Sequence, residues 1–332
     1  MQGEAQQIAG RQRAHEANYS TSVPPVSIAV LIPCCNEEAA IGRVVRDFRQ
    51  ALPEATIYVY DNNSVDKTVE EAARADAVVC HERLQGKGNV VRRMFADIEA
   101  DIYVLVDGDA TYHAPSAPVM VQTLIEGQYD MVSGQRVTET EAAYRLGHRF
   151  GNKLLTSMVS AIFGGRFCDL LSGYRVFSRR FIKSFPALAT GFEIETELTV
   201  HALELRMPTA EVATPYTSRP VGSESKLRTF RDGLRILGTI LTLIKEERPF
   251  SFFGVIAASL LGLSLILVAP IFQTYFETGV VPRLPTAILS TGIVLLAFIS
   301  LACGLIVDTI TLGRREAKRM RYLEIPAPRS GR

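Results

Sequence analysis

Two stretches of the chain carry no charged side chain, residues 249–276 and residues 284–307. Each exceeds the roughly 20 apolar residues that span a bilayer core, so the pattern predicts two transmembrane helices, 249–276 and 284–312, closed into a hairpin by a short loop. A pair of buried helices in a large soluble domain is the competing reading. Just ahead, Leu227, Phe230, Leu234, Leu237, Ile240, Leu241 and Ile244 recur at helical spacing, while Lys226, Arg228, Arg231 and Arg235 supply charge. Residues 226–248 are therefore expected to form an amphipathic helix, at the membrane surface or facing a core. Residues 26–225 show a different rhythm. Short β-branched runs at 26–32, 56–60 and 102–106 alternate with helical stretches at 38–51, 67–75 and 115–126. That alternation predicts an α/β domain, a mostly parallel Rossmann-like sheet with helices on both faces, whose ligands bind at the carboxyl ends of the strands. Residues 1–25 are polar, without the apolar core of a cleaved secretory signal, and read as a mobile tail.

Charge settles the orientation. Arg314, Arg315, Lys318, Arg319 and Arg321 follow the second span, and Lys245 and Arg248 precede the first, whereas the connecting loop holds only Glu277 and Arg283. By the positive-inside rule both ends face the cytoplasm, with residues 313–332 as a basic cytoplasmic tail and everything before Arg248 in the cytosol. Over the whole chain 36 Lys and Arg face 35 Asp and Glu, so bulk charge supplies no reason to bind nucleic acid. None of the five cysteines, Cys34, Cys35, Cys80, Cys168 and Cys303, forms a CxxC pair or stands at zinc-ligand spacing beside a His, which argues against a disulfide scaffold or zinc site.

The chemistry sits at the strand ends. The apolar run 102–106 leads straight into Asp107-Gly108-Asp109, and carboxylates two apart on extended backbone point the same way. Such a pair, without His or Cys, suits Mg2+ or Mn2+ completed by phosphate oxygens and water; an ordinary Asp/Gly turn is the plainer alternative. After the first strand, Asn36 is placed to cap the next helix, with Glu37 and Glu38 at its positive end. After the second, Asp66 is a further cap, while Asp61 fits a polar hook for a ribose or base. Gly86-Lys87-Gly88 offers a cation to a phosphate. Downstream, Glu193 and Glu197 fall one turn apart on a helix, with Glu195 between them, as base candidates or as a solvated acidic face.

Taken in order, Ile32-Pro33-Cys34-Cys35-Asn36-Glu37, the segment 61–68, Gly86-Lys87-Gly88 and Asp107-Gly108-Asp109 resemble family 2 glycosyltransferases of the GT-A fold. Residues 171–177 and 219–227 look like the branch that includes dolichol-phosphate mannose synthase and bacterial polyprenyl-phosphate glycosyltransferases. The resemblance covers about residues 26 to 245, and the terminal hairpin is typical of the bacterial members. It implies a UDP- or GDP-linked sugar donor, an inverting transfer, and a divalent metal, Mg2+ or Mn2+, on Asp107 and Asp109. By the same matching, Pro33, Glu37 and Asp61 would line the nucleoside pocket and Lys87 would lie near the donor. Arg175, Arg219 and Lys226 fall in motifs associated with the lipid phosphate and the donor phosphates. The chain departs from the pattern in carrying Thr111 where many relatives have Gln, Asn62 in place of a second Asp, and one extra residue between Arg219 and Lys226.

A polyprenyl phosphate carries about 1.5 to 2 negative charges near neutral pH and attacks without a general base. A sugar-hydroxyl acceptor would need one, for which Glu195 is retained. The expected product is a polyprenyl-phosphate monosaccharide, made on the cytoplasmic side of the plasma (inner) membrane by an enzyme in contact with the bilayer, possible as a homo-oligomer. A glycolipid or polysaccharide acceptor is one alternative, although the chain has no Trp and hence no Gln-x-x-Arg-Trp motif. A membrane-anchored donor-binding scaffold without turnover is another.

Overall fold

The structure, a computed structural model, describes residues 26–137, 168–219, 238, 241–242 and 244–327. The expected tail 1–25, Lys226 and the end of the chain from 328 lie outside the described residues. Of the expected amphipathic helix 226–248, residues 238, 241–242 and 244–247 are described and are helical.

Seven strands form one sheet in the order β3-β2-β1-β4-β6-β5-β7. They are β1 (Ile28–Cys34), β2 (Thr56–Asp61), β3 (Val78–His81), β4 (Ile102–Leu105), β5 (Met131–Val137), β6 (Arg175–Ser178) and β7 (Thr209–Pro215). All neighbours run parallel except β6, which is antiparallel to β4 and β5. The central strands are apolar on both faces because helices cover both. Alternate residues of β1 and β4 divide between two cores. Val30, Ile32 and Val104 pack with Ile41, Val45 and Phe48 of α1 (Ile41–Ala51) on one face. Leu31, Tyr103 and Leu105 pack on the other, with Val91 and Met94 of α3 (Lys87–Asp97), Phe181 of α5 (Arg179–Ser184) and Leu198 of α6 (Ile194–Glu204). Between these, α2 (Thr68–Arg74) and α4 (Ala117–Glu126) complete the alternation.

The hairpin is α7 (Pro249–Thr278) and α8 (Leu284–Leu323). Large side chains such as Leu265, Ile266, Leu296 and Ile299 are exposed along it, as a lipid-facing surface requires. Mostly small residues make the seam: Ala257 and Ser264, with Ile271, on α7, and Ser290, Ala297, Gly304 and Thr311 on α8, each series repeating every seven residues. Hydroxyls cross it, Ser264 donating to the Ser290 carbonyl at 3.1 Å and Ser300 to the Phe253 carbonyl at 3.2 Å. A Cβ on Gly304 would stand 2.9 Å from the Phe253 Cβ. Gly304→Leu is therefore expected to lower the melting temperature of the detergent-solubilised chain, by a loss of about 1–3 kcal/mol from overpacking. Gly262→Leu, with nothing within 4 Å of its Cβ position, should not.

One boundary differs from expectation. Residues 313–323 are no separate tail but the last turns of α8, whose 40 residues extend roughly 60 Å, about twice the hydrocarbon core. The surplus docks on the α/β domain. Lys318 pairs with Glu204 at 2.7 Å and Glu247 at 3.3 Å, and the Tyr322 hydroxyl donates to Asp130 at 2.8 Å beneath the Arg180 guanidinium. Lys318 and Tyr322 thus fasten the end of α8 to the α/β domain, with Asp130 standing just before the first residue of β5.

Candidate active site

The carboxyl ends of β1, β2 and β4 open onto a cleft of about 260 Å3 lined by Pro33, Cys35, Glu37, Asn62, Gln85, Lys87, Asp107, Asp109, Phe192 and Arg219 among others. A larger hollow of about 550 Å3 lies between α1 and residues 110–118. It touches Asp107 but none of Lys87, Asp109 and Arg219, so the convergent charges belong to the smaller cleft.

The loops after β1 and β2 are laced together. Asn36, in the left-handed region at φ 52°, does not cap α1; its side chain accepts from the Val65 amide at 2.8 Å. Glu38 accepts from the Lys67 amide at 2.9 Å, and Asp66 in turn accepts from the Glu38 and Thr68 amides. The capping residues foreseen for α1 are thus spent on joining two strand ends. Asn62 extends the lacing: its amide group donates to the Glu82 and Leu84 carbonyls at 2.9 Å each while its oxygen accepts from the Gly86 amide at 2.7 Å. An Asp there would have no hydrogens for those carbonyls, which gives the departure from the family pattern a local reason.

Gly86-Lys87-Gly88 brings α3 up against residues 188–191. Gly86 has φ 127°, and a Cβ on it or on Gly88 would collide with the Thr190 or Ala189 carbonyl oxygen. That close approach seats the Lys87 ammonium between Asp107 Oδ1 and Glu195 Oε1, at 2.5 Å from each. Burial opposes charge on Lys87, but Asp107 and Glu195 outweigh it and raise its pKa, so it is a cation across the accessible pH range. Burial pushes Glu195 up, against the pull of Lys87. Its second oxygen, Oε2, is buried without a hydrogen-bond partner among the described residues. Gly173 is needed on the other side of Asp107, where a Cβ would come within 2.5 Å of Oδ2.

Asp109 is 4% exposed. The Thr111 hydroxyl donates to its Oδ1 at 2.6 Å, and Arg219 meets its Oδ2 at 2.7 Å while reaching toward Glu37 at 3.9 Å. Burial and the neighbouring Asp107 raise the Asp109 pKa, with Arg219 and Thr111 pulling the other way. Thr111 thus orients the carboxylate rather than extending the ligand set.

Of the residues singled out in the sequence, Pro33, Glu37, Lys87, Asp107, Asp109 and Arg219 line this one cleft, and Glu195 stands directly behind Lys87. Asp61 does not line it; its carboxylate accepts from the Ser64 amide at 3.2 Å and faces His81 at 3.4 Å. Arg175 requires a correction. Expected at a phosphate, it is 1% exposed in the core, donating to the Ser172, Leu170 and Thr199 oxygens at 3.0, 2.7 and 2.8 Å. Its pairing with Leu105 on β4 puts it on the face of the second core, where it supports α6 and the segment before β6. Glu193 and Glu197 are neither bases nor a solvated face: they accept from the amides of Gly191, Leu188 and Ala189 and hold the loop that carries Phe192 over Lys87. Phe192, Cys35 and Gln85 were not foreseen, since nothing in their spacing marks them and only the fold brings them to the cleft.

Comparison with known proteins decides the family. The model of glycosyl transferase family 2 matches residues 29–185. Glycosyltransferase AglJ of Haloferax volcanii is 34% identical over 308 residues, which is 90% of this chain and 99% of that protein. The chain belongs to glycosyltransferase family 2. The dolichyl-phosphate hexose transferase of the same organism is a further relative, 29% identical over 67% of this chain and 95% of its own length. Among solved structures, glucosyl-3-phosphoglycerate synthase of Mycobacterium tuberculosis, in complex with Mn2+, UDP and glucosyl-3-phosphoglycerate, matches with a TM-score of 0.54 at 22% identity, over 66% of this chain and 80% of that one. The likeness is one of fold, the GT-A fold. In this family 2 glycosyltransferase the donor set at the cleft is two aspartates, and among the described residues no group of three or more His, Cys, Asp or Glu side chains could hold a metal. Two hard oxygen ligands fit Mg2+ or Mn2+ that takes its remaining ligands from phosphate and water, and Asp109 already balances a cationic group at the same oxygen.

Proposed function

We propose that this glycosyltransferase moves one monosaccharide from a UDP- or GDP-linked donor to the phosphate of a polyprenyl carrier, with inversion at the sugar carbon. The work takes place on the cytoplasmic face of the plasma (inner) membrane. One observation carries the reading: a cleft with paired aspartates and facing cations belongs to a domain fastened, through a single 40-residue helix, to a membrane hairpin. A lipid acceptor leaves its chain in the bilayer and presents only its phosphate to such a cleft. The similarity to a dolichyl-phosphate hexose transferase supports the same acceptor class.

Asp107 and Asp109 would hold Mg2+ or Mn2+, which supplies charge neutralisation to the departing nucleoside diphosphate. The chain's own residues do the rest. Pro33 and Glu37 border the nucleoside, with Asp61 acting through the turn beneath it. Lys87 and Arg219 attract the donor diphosphate, and Arg219 with Lys226, the latter outside the described residues, meets the acceptor phosphate. A phosphate monoester needs no base, which leaves Glu195 the task of keeping Lys87 aimed into the cleft. Bringing two anions together in fixed orientation is then the main source of rate.

The test is to incubate membranes containing the full chain with undecaprenyl phosphate, Mg2+ or Mn2+, and radiolabelled UDP- and GDP-sugars. Butanol-extractable label is expected with one donor, absent in EDTA and restored by excess Mn2+. Label that requires a glycolipid or polysaccharide acceptor, or no turnover with any donor, rejects the proposal; the second result favours a donor-binding scaffold.

A further inference from the structure

Both aspartates of the cleft are already matched with side-chain cations, Lys87 on Asp107 at 2.5 Å and Arg219 on Asp109 at 2.7 Å. The Asp109 pairing is particular in its geometry. Thr111 engages Oδ1 through both its hydroxyl, at 2.6 Å, and its amide, at 3.2 Å, so the carboxylate is held with only Oδ2 toward the cleft. Arg219 sits on that same oxygen. It approaches from Tyr216–Arg219, the segment after β7, which is fixed beside the metal loop by the Thr217 amide donating to the Thr111 carbonyl at 3.0 Å. Its side chain remains 29% exposed, whereas that of Asp109 is 5% exposed, so of the two partners the arginine is the more accessible to solvent and to an anion.

Arg219 occupies the oxygen that a divalent cation would need, so a cation held there would crowd the guanidinium. Three positive charges around one buried oxygen repel each other. A nucleoside diphosphate removes the conflict, because its oxygens accept the planar fork of an arginine better than a single carboxylate oxygen does. We propose that Arg219 is the stand-in cation of the donor-free enzyme, and that metal and nucleoside diphosphate consequently bind as a coupled pair, the diphosphate drawing Arg219 off Asp109 as the metal takes its place. Thr111 is the positioning residue of this exchange. The inference rests on the metal reading given above and assigns to Arg219 a function on the donor side of the cleft, before any acceptor arrives.

Coupling of this kind is reciprocal and can be measured without turnover. Mn2+ binding to the purified full chain in detergent is followed by electron paramagnetic resonance, alone and with saturating UDP or GDP. In the wild type the better nucleotide should tighten Mn2+ binding at least tenfold. Arg219→Gln should bind Mn2+ alone at least fivefold more tightly than the wild type, and the nucleotide effect should shrink by a similar factor. A gain in affinity is the opposite of what a damaged fold or a lost phosphate ligand would produce. Arg219→Lys, which keeps the charge, should stay close to the wild type. Arg43→Gln removes a positive charge from the outer face of α1 and should leave Mn2+ affinity within twofold, separating the local exchange from bulk charge. Thr111→Val should weaken Mn2+ binding, with rescue by Thr111→Ser.

Asp109→Asn separates the two levels of the argument. If it abolishes Mn2+ binding while Arg219→Gln leaves the metal-only affinity unchanged or lower, the exchange is overturned and the metal site stands. If Mn2+ binding is indifferent to Asp109 under every condition, the metal site fails and the exchange fails with it.

Discussion

Asp109→Asn is expected to lower sugar transfer by about a thousandfold while leaving the chain folded. The substitution keeps size and shape, and the Thr111 hydroxyl can still donate to the amide oxygen as it does to Oδ1. What disappears is the negative charge at Oδ2, the atom that faces Arg219 at 2.7 Å. An amide nitrogen there would turn two donors toward a guanidinium and could not ligate a hard cation. Removing a single preorganised electrostatic contact in a water-poor site reduces turnover by about 10²–10³, and a lost metal ligand belongs at the upper end. The measurement is the initial rate of lipid-linked label at saturating donor and Mn2+, beside a melting curve of the same preparation. A rate within tenfold of wild type, with the melting temperature intact, would remove Asp109 from the chemistry.

Arg175→Leu carries the largest expected change in stability. The guanidinium satisfies two main-chain carbonyls and the Thr199 hydroxyl in a region closed to water. Burial pushes its pKa below the usual arginine value, against the pull of Glu195 and Asp169, so the charge is held there at a desolvation cost. Leucine leaves the Ser172 and Leu170 carbonyls without that donor and opens a gap beside α6, a combination that costs about 3–5 kcal/mol. The substitution should lower melting temperature and membrane yield sharply, while the surviving enzyme keeps its KM for the proposed lipid-phosphate acceptor. A phosphate-binding role would give the reverse pattern, normal stability with a raised KM. The two outcomes are separable in one preparation.

Arg175 lies in the stretch 171–177, which the family resemblance associates with phosphate, and that resemblance alone points it at a ligand. Strand β6, however, enters the sheet between β4 and β5 in the opposite direction to its neighbours. Pairing of Arg175 with Leu105 and Ser133 places its side chain in the second core, and no local spacing reports which partners a strand will find. Glu193 and Glu197 were equally opaque. Being one turn apart, they fit one solvated face, but the loop 188–191 folds back over both and takes their oxygens for its amides. Only Glu195 reaches the cleft side, through Lys87. Asp107, Asp109 and Lys87 were legible because strand ends and glycine-flanked helix starts put side chains where the sheet rule says ligands bind.

Local periodicity and charge placement were enough, without any contact map, to specify the alternating α/β domain, the two membrane-length helices and the aspartate pair at the end of β4. Those properties depend on neighbours within a few residues, and the chain carries them wherever it goes. Tertiary structure alone decided which arginine is buried and which stands at the cleft, that the basic end of α8 is a strut against Glu204, Glu247 and Asp130, and that Thr111 and Arg219 share one carboxylate. The deciding contacts, Lys318 with Glu204, Tyr322 with Asp130 and Arg219 with Asp109, join residues far apart in sequence, up to 192 positions, where the outcome depends on which faces meet when the sheet closes.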